Sequence, residues 1–254
     1  MPYQQDCEIV SLRALNARAF EMILEAGAIA REAQPGQFVN LSCGEGHLLR
    51  RPISICEAVD TRLRLVFEVR GAGTAWLAAR GTGEKISVLG PLGHGFDTKG
   101  KRVLLIGGGI GVPPLLWAAK QAAHADAALG FAAADRAILT EDFEKVCAAL
   151  TVTTDDGSLG RKGNALDGAR TLLEHGRYDT VCVCGPKILL NYAAQAAQDA
   201  GIPCQVSMEE RMGCGVGACL VCAVKLRDAR GETYYGHVCK DGPVFSSEEV
   251  VFDD

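Results

Sequence analysis

Cys214, Cys219, Cys222 and Cys239 are spaced C-x4-C-x2-C, with the fourth thiol after a further sixteen residues. Thiolates at this spacing hold a plant-type [2Fe–2S] cluster. The loop from Met212 to Cys222 is nearly bare of side chains, with Gly213, Gly215, Gly217 and Ala218, so its backbone N–H groups are free to turn toward sulfur. Such hydrogen bonds help set a reduction potential. Zinc is the competing occupant, but zinc knuckles favour two short CxxC-type pairs, whereas here three cysteines share one glycine-rich loop and one partner is remote. A disulfide framework fits less well, because the chain opens Met1-Pro2-Tyr3-Gln4 without the charged and then apolar stretches of a secretory leader.

Two further groups of residues suit nucleotides. Gly107-Gly108-Gly109-Ile110-Gly111-Val112-Pro113-Pro114 follows an apolar strand and opens a helix. Glycines there let the backbone approach a pyrophosphate, and a helix N-terminus adds partial positive charge. The pattern reads GxGxxP, with Pro114 suited to a first helical turn, and a tight strand-to-helix turn without a ligand looks the same. Val181-Cys182-Val183-Cys184-Gly185-Pro186 puts a second strand end and helix start in the same sheet, where crevice ligands bind at strand C-termini. Asp135, just beyond the second strand, is placed to accept ribose hydroxyls and repel a 2′-phosphate, and Arg136 beside it keeps NADPH open. Earlier in the chain, Arg51-Pro52-Ile53-Ser54 joins a guanidinium, a rigid proline and a hydroxyl. An arginine fork binds two diphosphate oxygens at once. Gly71-Ala72-Gly73-Thr74 begins the helical stretch nearby, so Gly73 and Thr74 offer N–H groups and a hydroxyl to the same anion. Each motif alone is a common surface turn; together in one small domain they point to a flavin.

The elements that must hold these residues fall into two patterns. Short segments, Glu8–Leu15, Phe20–Glu25, Gln37–Ser42, Pro52–Val59, Leu63–Val69 and Lys85–Leu89, several alternating apolar and polar residues, predict an antiparallel barrel with one helix near Ala75–Arg80. From Arg102 the pattern changes to continuous apolar strands (Val103–Ile106, Ala127–Ala133, Thr151–Thr154, Val181–Cys184, Cys204–Met208) alternating with Ala-rich helices (Pro114–Ala125, Glu141–Leu150, Ala165–His175, Ile188–Ala200). That alternation predicts a parallel α/β sheet covered on both faces. The fold class expected is therefore a flavin-binding β-barrel at residues 1–98, a nucleotide-binding α/β domain at 99–208, and a [2Fe–2S] subdomain at 209–254 hanging from the sheet edge.

The composition bounds the partners. A chain of 254 residues with 48% hydrophobic and 22% charged residues buries a good core. A net charge of −5 with no long Lys/Arg run argues against nucleic acid, and pairs such as Arg50-Arg51 read as solvated or as single-anion contacts. No segment reaches the ~20 apolar residues that span a bilayer. Of the 11 cysteines, Cys7, Cys43, Cys56, Cys147, Cys182, Cys184 and Cys204 lie outside the cluster set, mostly in apolar runs, where a thiol behaves as a small hydrophobe. This usage predicts a reducing, cytoplasmic setting.

The order Arg51–Ser54, Gly73-Thr74, Gly90-Pro91-Leu92-Gly93-His94-Gly95-Phe96, Gly107–Pro114 and Cys184-Gly185-Pro186 resembles the ferredoxin-NADP reductase superfamily. Glu209-Glu210-Arg211-Met212-Gly213-Cys214 through Cys222, with Val238-Cys239-Lys240-Asp241-Gly242-Pro243-Val244-Phe245, resembles more narrowly the electron-transfer subunits of NAD-dependent, class B dihydroorotate dehydrogenases. The resemblance covers essentially the whole chain. It implies that Arg51, Pro52, Ile53, Ser54, Val66, Phe67, Glu68, Gly73 and Thr74 hold FAD, that the four cysteines hold [2Fe–2S], and that the glycine loop with Cys184, Gly185 and Pro186 receives NAD. A nicotinamide exchanges electrons in pairs and an iron–sulfur cluster singly, while a flavin does both, so the set amounts to a two-electron to one-electron converter. The resemblance also implies a separate FMN-containing catalytic subunit that oxidises dihydroorotate in pyrimidine biosynthesis, with two copies of each subunit. No residue of this chain is assigned to dihydroorotate chemistry. His94, in a loop, reads as a solvent-facing turn residue, with tuning of a nearby flavin as the alternative. The rival readings are a subunit serving another partner, such as a sulfide dehydrogenase or a ferredoxin-dependent NADP oxidoreductase, and a non-enzymatic zinc or redox-sensing module.

Overall fold

The computed structural model describes residues 2–252. Six strands, β1 (Tyr3–Ala14), β2 (Ala19–Glu25), β3 (Phe38–Leu41), β4 (Arg51–Val59), β5 (Arg62–Glu68) and β6 (Lys85–Leu92), close an antiparallel barrel in the order β1-β2-β5-β4-β3-β6. Alternation along β5 shows why. Leu63, Leu65 and Phe67 turn into the barrel core with Met22, Leu24, Leu41 and Ile55, while Val66, on the other face, is buried in a second core with Val112 and Leu115. Two short helices, α1 (Gly27–Glu32) and α2 (Ala72–Ala78), fill connections. The sequence pattern does not reveal α1, whose Gly27-Ala28-Ile29-Ala30 holds one large apolar residue. α2 starts at Ala72 rather than Ala75 because Thr74 Oγ1 accepts the N–H groups of Arg70 and Gly71 at 2.9 and 3.2 Å and so caps an earlier turn.

The second part is built from β7 (Arg102–Gly108), α3 (Pro113–Gln121), β8 (His124–Phe131), α4 (Thr140–Glu144), β9 (Ala149–Thr154), β10 (Arg161–Lys162), α5 (Ala165–His175), β11 (Thr180–Cys184), α6 (Lys187–Asp199) and β12 (Cys204–Ser207). The expected helices ending at Ala125 and Leu150 stop earlier, at Gln121 and Glu144. Alanine tolerates either conformation, and sheet pairing decides: His124 is opposite Arg102, and Ala149 pairs with Asp126, whose carboxylate also accepts the Ala149 N–H at 2.9 Å.

The last part adds the hairpin β13 (Ala223–Arg227) and β14 (Thr233–His237), then β15 (Val244–Ser246). β15 pairs antiparallel with β12, giving a sheet ordered β10-β9-β8-β7-β11-β12-β15. The cysteine region is thus stitched into the sheet edge rather than merely hanging from it. It also touches the barrel side of the molecule, since the exposed His94 donates its backbone N–H to Gly242 O at 2.6 Å. Among the described residues no helix is long and apolar enough to cross a membrane.

Candidate cofactor cleft and cysteine loop

Strand order reverses between β7 and β11: the chain builds outward through β8 to β10 on one side and through β12 on the other. In open α/β sheets such a reversal leaves a crevice at the strand C-termini. Here Cys184 pairs with Gly107, so the two turns Gly108–Gly111 and Cys184–Pro186 sit side by side. They form one wall of a cleft of about 460 Å³. Pro52, Ile53 and Ser54 of β4, Val66, Phe67 and Glu68 of β5, and Thr74 form the second wall. A third wall, not foreseen from sequence, comes from the chain after β12: Ser207, Met208, Glu209, Glu210 and Met212, with Pro243. Its mixture of sulfur and carboxylate carries no periodic signal, and only the position after a parallel strand could have indicated it.

Arg51 and Gly73 lie beside the cleft and against each other. A Cβ on Gly73 would fall 2.3 Å from Arg51 Nε and 2.6 Å from its Cζ, so the guanidinium in this position packs directly over the glycine. The two motifs read separately in the sequence are one local structure. The Thr74 hydroxyl, expected to face an anion, instead donates to Gly71 O at 3.0 Å while serving as the cap. Arg50, read as solvated or anion-binding, is neither: it donates to Asn40 O, Ser87 O and Ser87 Oγ at 3.2, 2.8 and 3.0 Å, tying β3 to β6.

In the glycine loop, Gly109 has φ +54° and open space where a side chain would stand, whereas a Cβ on Gly111 would lie 2.4 Å from Cys184 O. Gly111 is glycine for packing of the two turns, and Gly109 for the turn itself. Gly107 sits beneath them, its Cβ position 3.0 Å from Val112. α3 begins with Pro113 and Pro114, both buried and both lacking N–H, so the donors available to an anion here belong to Gly109–Gly111 rather than to the helix. Asp135 is exposed on a turn beyond β8 and does not line the cleft.

The sixteen residues between Cys222 and Cys239 are the β13–β14 hairpin, which returns the chain so that Val238 donates its N–H to Cys222 O at 3.0 Å. In the loop, the N–H groups of Val216, Ala218 and Cys219 point to Cys214 Sγ at 3.4, 3.2 and 3.4 Å, and that of Gly217 to Cys239 Sγ at 3.1 Å. Gly215 and Gly217 have φ of +75° and +82°, and a Cβ on Gly213 would stand 3.0 Å from Cys219 Sγ. Burial opposes ionisation of Cys214, but the N–H groups of Val216, Cys219 and Ala218 outweigh it and bring the thiol down to about 6. Burial, then the neighbouring Cys222 thiol, push Cys239 up to about 12. Cys214 and Cys219 lie together, each Sγ facing the other residue's N–H at 3.4 and 3.3 Å, and Cys239 adjoins Cys222 and feels Cys214 as well. No three His, Cys, Asp or Glu side chains among the described residues gather around one point. Four neighbouring thiols in a loop whose N–H groups face sulfur suit an anionic two-iron cluster, so the residues fit [2Fe–2S].

Comparison with known proteins agrees with this geometry. Residues 209–251 match the iron–sulfur cluster binding domain of dihydroorotate dehydrogenase B. Along 99% of this chain and 100% of the relative, the sequence is 38% identical to a dihydroorotate dehydrogenase B (NAD(+)) electron transfer subunit from Caldanaerobacter subterraneus subsp. tengcongensis. A subunit with the same description from Geobacillus thermodenitrificans is 40% identical over 96% of each chain. The chain belongs to the dihydroorotate dehydrogenase B electron-transfer subunits. A member of this family is an oxidoreductase component and works with a catalytic partner subunit. Among solved structures, the electron-transfer subunit is similar to a chain of the NADH-dependent reduced ferredoxin-NADP oxidoreductase, with TM-score 0.85, 31% identity, and coverage of 97% of this chain and 90% of that one. The ferredoxin reductase of carbazole 1,9a-dioxygenase shares the fold, with TM-score 0.65 and 20% identity over 80% of this chain and 67% of that one.

Proposed function

We propose that this chain binds FAD, NAD(H) and a [2Fe–2S] cluster around the one cleft. It carries electrons between NAD and an FMN-containing catalytic subunit that oxidises dihydroorotate to orotate in pyrimidine biosynthesis. The assembly is cytoplasmic and holds two copies of each subunit. The observation that supports this most is the convergence of three walls on one space, from the barrel, the sheet switch point and the segment leading into the cysteine loop. FAD held there would supply chemistry that takes electrons in pairs from a nicotinamide and gives them singly to a cluster. Residues 1–98, 99–208 and 209–254 form the three working units, with β15 of the last completing the sheet of the second.

Arg51, packed on Gly73, neutralises the flavin diphosphate. Pro52, Ile53, Ser54, Val66, Phe67, Glu68 and Thr74 line the flavin's wall. The N–H groups of Gly109–Gly111 and the Cys184-Gly185-Pro186 turn receive the nucleotide, and Asp135 meets its ribose from outside the cleft, favouring NAD(H) over NADP(H). Cys214, Cys219, Cys222 and Cys239 hold the iron. The proton-abstracting base for dihydroorotate belongs to the partner. The 31% identity to the ferredoxin-NADP oxidoreductase chain favours, as a second reading, service to a different partner.

Co-purification followed by assay separates the two. The chain alone is expected to reduce artificial one-electron acceptors with NADH, more slowly with NADPH, and not to oxidise dihydroorotate. With its FMN subunit, dihydroorotate-dependent NAD reduction appears. Dihydroorotate turnover by the chain alone, or a co-purifying partner inactive with dihydroorotate, contradicts the first reading.

A further inference from the structure

Asn40 stands where the barrel meets the cysteine loop. It is 1% exposed, and its Oδ1 is buried with no hydrogen-bond partner among the described residues. Its Nδ2 donates to Cys214 O at 3.4 Å, and a Cβ on Gly215 would fall 2.5 Å from the same nitrogen. The side chain is therefore wedged beneath the first turn of the loop. Two residues earlier on the same face of β3, Phe38 lines the cleft and packs in one core with Cys222 and Cys239. Across the ladder, Asn40 is opposite Pro52 of the flavin wall, and Arg50 donates to its carbonyl oxygen at 3.2 Å. The position is fixed from every side.

A buried amide with an unpaired acceptor costs free energy that a leucine of similar size would not, so packing alone does not account for an asparagine here. Groups that hydrogen-bond around metal ligands orient them and tune the metal. We propose that Asn40 is a positioning residue for the [2Fe–2S] site: its amide holds the Cys214 carbonyl, seats the cysteine loop on the flavin barrel, and sets the reduction potential of the cluster. This rests on the reading of the cysteine loop as a [2Fe–2S] site. Removing the amide frees the loop whose N–H groups face Cys214 and Cys239, and replacing it with a carboxylate puts negative charge beside the Cys214 ligand.

The test uses the full chain with its cofactors, in three forms: wild type, Asn40→Asp and Asn40→Leu. Iron and flavin contents are measured, followed by the EPR spectrum of the reduced cluster and its midpoint potential by redox titration. Asn40→Asp is expected to keep its FAD, to show altered g values and to shift the cluster potential downward. Asn40→Leu is expected to keep FAD and to lose iron to a chelator about tenfold faster than wild type. If Asn40→Leu does not fold, the near-isosteric Asn40→Asp decides. Unchanged spectrum and potential in a fully loaded Asn40→Asp protein overturn the proposal and leave the cluster reading intact. A wild-type protein without a reducible cluster overturns both.

Discussion

The Arg51 guanidinium occupies the space a side chain on Gly73 would take, and this one contact joins two segments into a candidate diphosphate site. A charge-assisted hydrogen bond contributes about 1.5–3 kcal/mol, so Arg51→Ala is expected to weaken FAD binding about tenfold or more. Gly73→Ala tests the same contact from the other side. Its methyl group must displace the guanidinium, so a comparable loss is expected, and the double variant should be little worse than either single one. Flavin-to-protein ratios after dilution and gel filtration report all three. Full flavin retention by Arg51→Ala would show that the guanidinium does not reach the diphosphate, and retention by Gly73→Ala alone would show that it reaches it from a shifted position. The buried thiols outside the cluster set make a contrast. Burial pushes Cys56 and Cys204 up to about 12, as for thiols that only pack, whereas the N–H groups around Cys214 do the opposite.

Between elements, charge as well as apolar packing fixes the barrel on the sheet domain. Arg64 of β5 pairs with Glu21 of β2 at 2.6 Å and with Asp142 of α4 at 3.0 Å, and Lys120 of α3 pairs with Glu57 of β4 at 2.5 Å. Arg64 and Glu21 side chains are 14% and 7% exposed, so removing Arg64 leaves the poorly solvated Glu21 with only the more exposed Arg13, at 2.6 Å. With Arg13 still paired to Glu21, Arg64→Met is expected to cost about 1–3 kcal/mol in denaturant unfolding at pH 7. Burial pushes the Glu21 carboxyl up, but Arg13 and Arg64 outweigh it and hold it below the usual carboxylate range. The stabilisation from Glu21 is therefore complete above its unfolded value of about 4.3 and is lost as pH falls through the lower folded value. The gap between wild type and Arg64→Met should accordingly shrink in acid; a gap that stays constant down to pH 3 would contradict this assignment. This latch was invisible in the sequence, since β2, β5 and α4 meet only after the barrel closes. The cysteine loop was legible because three of the four proposed ligands are sequence-local, and the distance to the remote fourth is spanned by a hairpin. The parallel strands were legible as apolar runs, while α1 and the ends of α3 and α4 were not, because alanine-rich sequence leaves the choice to sheet pairing.

At the scale of the molecule, the three units meet at one cleft, and the segment leading from β12 into the cysteine loop forms one of its walls. Neither flavin motif nor glycine loop alone distinguishes an electron converter from an ordinary nucleotide-binding turn; their shared cleft with the cysteine loop does. The central claim is that electrons entering from NADH reach the cluster through the flavin. The most direct measurement is an anaerobic NADH titration of the purified chain and its Cys219→Ser variant, following flavin absorbance and the cluster EPR signal together. Wild type should contain one FAD and two irons per chain, and NADH should reduce both centres. Cys219→Ser should lose the cluster signal and keep NADH-dependent flavin bleaching. Stoichiometric zinc without acid-labile sulfide, or flavin bleaching that never brings up a reduced-cluster signal in the wild type, would contradict the account.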